Sequence, residues 1–209
     1  KEIQNWSEAV RGKLTNNDVP LLIAIMDRAN KLVTASPDFP EGHSLRDVQI
    51  FSLLSLLNAD DIQLGRLAQI ATGEGKSTIV SMLAIIKVLQ GQSVDIITSS
   101  PILAERDAKT KAAFYDMFKL TVSHNKTPED FQGGEKACYK SDIVYGSVGN
   151  FQADYLRDEY HGKQTLAGRI RQTVIVDEVD SMLIDSGGHM VKLSSPIAGM
   201  EYLLSLIHI

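Results

Sequence analysis

Ala71-Thr-Gly-Glu-Gly-Lys-Ser-Thr78 is the stretch on which the reading of this chain turns. Gly73 and Gly75 lack a Cβ, so the backbone can bend tightly and approach a bulky anion. Lys76 and Ser77 then open a largely apolar run to Leu89, which is of helical length. A glycine turn entering a helix aims backbone N–H groups at phosphate oxygens. Thr72, Gly73, Glu74 and Gly75 would form the cradle, with Lys76, Ser77 and Thr78 in the first helical turn. Lys76 would neutralise terminal phosphates, and the Ser77 hydroxyl would ligate magnesium. The strict phosphate-loop pattern has a glycine five residues before Gly75, where this chain has Ile70. Read alone, the stretch also fits a helix entered through a flexible turn.

Val174-Ile-Val-Asp-Glu-Val-Asp180 follows about a hundred positions later. Thr173-Val-Ile-Val176 reads as a central strand. Asp177 and Glu178 fall beyond its carboxyl end, where ligands bind in open α/β sheets. Asp177 is expected to hold magnesium through water, and Glu178 to position or deprotonate an attacking water. Alone, the pair also fits solvated acids in a strand-to-helix turn. Together with Lys76 it points to hydrolysis of a triphosphate, ATP with Mg2+, with Lys76 and Glu178 as the catalytic residues.

The rest of the chain supports an α/β fold: a three-layer P-loop domain with a mainly parallel sheet behind a small helical N-terminal segment. Residues 1–40 read as helices, with apolar spacing from Val19 to Leu32. Pro37, Pro40 and Gly42 break them, and Ser44 suits the N-cap of a helix over Leu45 to Leu57. Asn58 to Asp61 reads as a turn. The pattern then alternates: strand Leu67–Ala71, helix Lys76–Gln90, strand Val94–Thr98, and a helix from Pro101 to about Phe118. Leu120–Ser123 reads as a strand, 126–140 as a loop, Asp142–Tyr145 as a strand and Asn150–Tyr160 as a helix. Short β-branched runs separated by helices of this length indicate parallel strands buried on both faces.

The 209 residues suffice for one sizeable core. The net charge of −5 argues against a dedicated nucleic-acid module, which carries a basic excess. Cys138 is the single cysteine, so an internal disulfide is excluded. Apolar runs are too short for a membrane span. Lys1 is not an initiator methionine. Leu204-Ser-Leu-Ile-His-Ile209 reads as the translation of a common transposon-based sequencing adapter, so the native sequence is expected to stop near Leu203. The domain expectation is therefore 1–40 helical, 41–203 nucleotide-binding and 204–209 adapter read-through.

Several segments resemble the first nucleotide-binding, DEAD-like motor domain of the SecA preprotein translocase ATPase family. They are Arg46-Asp-Val-Gln49, Thr72 to Ser77, Leu103-Ala-Glu-Arg-Asp107, Asp142-Ile-Val-Tyr-Gly146, Asp154-Tyr-Leu-Arg-Asp158 and Val176 to Asp185. After Asp185 the chain departs from the family, reading Ser186-Gly-Gly-His189, which marks it as a divergent member. The resemblance implies that Gln49 reads adenine and that Arg106 and Asp107 belong to a coupling helix. It implies ATP-driven translocation or remodelling of unfolded polypeptide or preprotein, and a second nucleotide-binding domain in the same chain that completes the site. A membrane translocation channel as partner and a cytoplasmic location, peripheral at a membrane, follow from the same likeness. A DEAD-type nucleic-acid helicase core shares these motifs and is the alternative.

Overall fold

The computed structural model describes residues 1–57, 65–127, 131 and 133–182. The turn expected at Asn58–Asp61, Asp185, His189 and the 204–209 tail lie outside them. Two helices lead: α1 (Glu2–Val10) and, after a short 3-10 turn at Asn16–Asp18, α2 (Val19–Thr34). Then come α3 (Asp47–Leu57), α4 (Lys76–Leu89), β1 (Val94–Thr98) and α5 (Pro101–Asp116). β2 (Val122–His124), β3 (Ile143–Ser147), α6 (Val148–His161) and β4 (Thr173–Val176) complete the described elements. The strands form one sheet in the order β2-β3-β1-β4, and every pair is parallel. The register sets Val94 of β1 beside both Ile143 of β3 and Thr173 of β4.

Capping chemistry places the helices. Ser100 accepts from the Leu103 amide at 3.2 Å, with Pro101 filling the first helical position of α5. Ser147 does the same for α6 through the Asn150 amide at 3.3 Å. Alternation along β3 divides the core into two layers. Ile143 and Tyr145 join the large cluster that also holds Leu22, Met26, Leu53, Met82, Ile85 and Phe114. Val144 points the other way, into a smaller cluster with Tyr139 and Leu166. Helices thus cover both faces, the arrangement parallel sheets require.

Three sequence expectations are corrected. The expected strand Leu67–Ala71 is not a strand: 65–71 pair with neither sheet edge, and Leu67 is 84% exposed. An extended run becomes a strand only when a neighbour completes its ladder, which 65–71 lack among the described residues. β4, expected to be central, is an edge of the described sheet, with Val174 52% and Val176 42% exposed. β-branched residues fit an edge as readily as a centre, because the propensity reflects neighbours rather than position. Ser44 does not cap α3, which starts at Asp47. Asp27 on α2 accepts the Leu45 amide at 2.7 Å and keeps the chain non-helical there.

Candidate functional site

The glycine turn sits at the N-terminus of α4. Gly73 and Gly75 have φ of 86° and 78°, a left-handed backbone that a Cβ disfavours. Gly75 is the N-cap of α4, and no side chain caps the helix. Its first amides therefore face the loop mouth with the positive end of the helix dipole behind them. Ser77 is exposed there, and its carbonyl accepts from the Ser81 hydroxyl at 2.7 Å.

β4 delivers the acids. The Asp177 amide donates to the Ile97 carbonyl at 2.8 Å, so the ladder with β1 runs one residue past the strand. That bond sets the Asp177 carboxylate 3.0 Å from Lys76 Nζ. Burial opposes the charge on Lys76, but the bond to Asp177 and the fields of Asp177, Glu178 and Asp180 outweigh it and raise its pKa. Glu178 has φ 60°, a strained conformation for a residue with a Cβ. Its carboxylate accepts from the Ser99 hydroxyl at 2.7 Å. Ser99, just beyond the carboxyl end of β1, was not anticipated from the sequence. Its signal was position: loops after parallel strands hold the ligand-facing groups.

Arg46 and Gln49 grip the loop from the other side. Arg46 donates to the Gly73 carbonyl at 2.9 Å and pairs with Glu74 at 3.0 Å. The Gln49 amide nitrogen donates to the Glu74 carbonyl at 3.1 Å, and its oxygen accepts from the Arg46 amide at 3.0 Å. Gln49 is buried, and its side chain here holds the loop itself. Thr72 is exposed, and the Thr78 hydroxyl accepts from Lys111 at 3.2 Å. The structure thus brings Gln49, residues 72–78, Asp177 and Glu178 to one end of the sheet.

Two further segments have other roles. Asp154 is fully buried, 2.7 Å from Lys136 and 3.0 Å from Arg157, and it accepts from the Tyr139 hydroxyl at 2.7 Å. It anchors α6 rather than lying on a solvated face. Arg106 and Asp107 pair with each other at 2.7 Å on α5. Cys138 is half-buried, and burial pushes its thiol up to about 11, so it is a poor nucleophile at neutral pH.

The donors fit magnesium. The Ser77 hydroxyl and the Asp177 carboxylate are hard oxygen donors, the type that would hold such a cation. Among the described residues, no cluster of three or more His, Cys, Asp or Glu could hold a metal. A cation bound by one carboxylate, a hydroxyl, waters and substrate phosphates is the usual magnesium arrangement.

A parallel sheet, an uncapped glycine turn opening a helix, and acids beyond an adjacent strand define a P-loop domain of the DEAD-like class. The sequence matches the SecA DEAD-like domain family over residues 2–204, and the chain belongs to that family. It is 32% identical over 194 residues to a protein translocase subunit SecA of Oleidesulfovibrio alaskensis, covering 91% of this chain and 20% of that protein. A protein of the same description from Alcanivorax borkumensis is 30% identical over 216 residues, covering 100% of this chain and 22% of the relative. One from Amoebophilus asiaticus is 32% identical over 157 residues, covering 75% and 14%. The chain therefore spans less than a quarter of the length of these relatives.

Proposed function

We propose that this chain is the ATP-binding domain of a motor that couples ATP hydrolysis to movement or remodelling of unfolded polypeptide. The observation that carries the reading is the 3.0 Å approach of Lys76 to Asp177 at the mouth of an uncapped helix. Lys76, kept charged by its bond to Asp177, is a cation that can exchange that carboxylate for another anion. When a triphosphate enters, Lys76 exchanges Asp177 for the terminal phosphates. Asp177, once freed, and the Ser77 hydroxyl would hold Mg2+, which would supply charge neutralisation at the phosphates. The amides of residues 73–78 cradle the phosphate chain. Glu178, fixed by Ser99, orients the attacking water and takes its proton. Gln49 exchanges the Glu74 carbonyl for the adenine edge, which an amide can both donate to and accept from.

The relatives' description as protein translocase subunits supports a polypeptide substrate class, and the family resemblance supplies the partners. Unfolded or preprotein polypeptide, a membrane translocation channel and a second nucleotide-binding domain of the same polypeptide belong to this proposal, as does work at the cytoplasmic side of a membrane. No described helix is long and apolar enough to cross one. The nucleic-acid helicase reading gains nothing from the acidic net charge of −5.

The test is Glu178→Gln. Turnover should fall by roughly 10²–10⁴-fold while ATP affinity stays within about twofold, the signature of a lost general base. Equal turnover in mutant and wild type removes Glu178 from the chemistry. Calorimetry that finds no heat of ATP·Mg2+ uptake by the folded chain removes the whole reading.

A further inference from the structure

Lys111 lies on α5, a helix away from the glycine turn, and the chemistry above does not use it. Its ammonium reaches across to the Thr78 hydroxyl, 3.2 Å away, in the first turn of α4. Burial lowers its pKa, and the Asp107 carboxylate one turn earlier offsets this only in part. Helix-surface lysines normally keep the charged head in water. Here the head is partly withdrawn from solvent toward a neutral hydroxyl, at the end of the helix where an anion is expected.

The bonding has one consequence. An ammonium has protons to give and no lone pair with which to accept. The Thr78 oxygen must therefore accept from Lys111, and its single proton stays free for an acceptor other than Lys111. Thr78 stands two residues beyond Lys76, on the turn whose amides open onto the loop mouth.

We propose that Lys111 is a positioning residue for the phosphates, holding the Thr78 hydroxyl as a donor toward them. The proposal rests on the nucleotide-binding reading and extends it to a second lysine. It also ties the loop to α5, the helix that carries Arg106 and Asp107. Lys111 touches Thr78 and acts through it.

ATP·Mg2+ affinity is measured by calorimetry for the wild-type chain, Lys111→Met, Thr78→Val, the double variant and Lys76→Ala, with melting temperatures alongside. Each of Lys111→Met and Thr78→Val should weaken ATP binding about tenfold, the scale of one hydrogen bond to a charged group. The double variant should be no weaker than either single one, because both remove the same contact. Lys111→Met should melt no lower than wild type, since it relieves a desolvated ammonium without opening a cavity. A lysine with a purely structural role would instead lower the melting temperature and leave affinity alone, which overturns the proposal. Additive losses in the double variant overturn it as well. Uptake abolished by Lys76→Ala but indifferent to Lys111→Met overturns the role of Lys111 alone. A folded wild type that takes up no nucleotide overturns the nucleotide reading and this proposal with it.

Discussion

Gly75 meets two demands at once. Its φ of 78° and ψ of 41° lie where an L side chain is strained, and a Cβ there would stand 2.2 Å from Gln49 Nε2. Gly75→Ala must therefore distort the turn and push Gln49 off the Glu74 carbonyl. Gly73, at φ 86°, has open space where its Cβ would go, so Gly73→Ala carries the backbone strain alone. That strain is worth about 1–2 kcal/mol per residue. Urea denaturation of both variants separates the two effects. Gly75→Ala should lose clearly more stability than Gly73→Ala, and more ATP affinity. Equal losses would mean that the contact with Gln49 does not shape the loop. The same scale accounts for Glu178. A glutamate at φ 60° carries backbone strain, and its bond to Ser99 fixes the carboxylate that the proposed chemistry aims at water.

At the scale of elements, the end of the sheet opposite the site is held by Arg169. Its Nε pairs with Asp95 at 2.9 Å, and both side chains are only 4% exposed. Its remaining nitrogens donate to the Val94 carbonyl at 2.9 Å, to the Asp142 carbonyl at 3.0 Å, and to Tyr139 and Ser141. One guanidinium thus joins the starts of β1 and β3 to the segment leading into β4. Arg169→Met leaves a buried carboxylate alone, which costs about 3–5 kcal/mol. Burial already raises the Asp95 pKa despite the arginine, so the unpaired acid should protonate. Arg169→Met with Asp95→Asn should recover part of the loss in urea denaturation. No recovery would place the loss in the carbonyl contacts instead. None of this was legible in the sequence, where Asp95 sits inside an apolar strand and Arg169 in a connection. Two residues that meet across 74 positions leave no local pattern. What was legible was local. β1 and β4 fall on Val94–Thr98 and Thr173–Val176 as expected, because short β-branched runs between turn residues mark strands. α4 follows from its glycine entry. The Leu67–Ala71 run failed for the converse reason: strandedness depends on a partner the run itself cannot reveal. The loop and the acids were visible as motifs. Ser99 and Lys111 were not, since each matters only through what the fold sets beside it.

At the scale of the molecule, the described residues wall the site on one side only. The loop, α4 and the end of β4 form the proposed phosphate side, while the Lys76 side chain is 41% exposed and Ser77 is open to solvent. β4 also ends the described sheet with exposed valines at 174 and 176. On the proposed reading, binding needs only one wall, with the amides and Lys76 holding the triphosphate. Turnover needs more, because charge moving onto the transferred phosphoryl group must be met from the far side. In related phosphoryl-transfer enzymes an arginine supplied across the site is worth about 10³–10⁵ in rate. The chain spans less than a quarter of its SecA relatives, and the second nucleotide-binding domain proposed here would bring such a group. The expected outcome is therefore split. Calorimetry on the chain alone should show uptake of ATP·Mg2+. Single-turnover hydrolysis should run roughly 10³-fold or more below that of the polypeptide extended through its second domain. Arg→Ala at the finger of the extended protein should return the rate to that of the short chain with affinity little changed. Comparable rates for the short and the extended protein would mean that the groups on this chain complete the transition state unaided, and the two-domain account of its chemistry would fail.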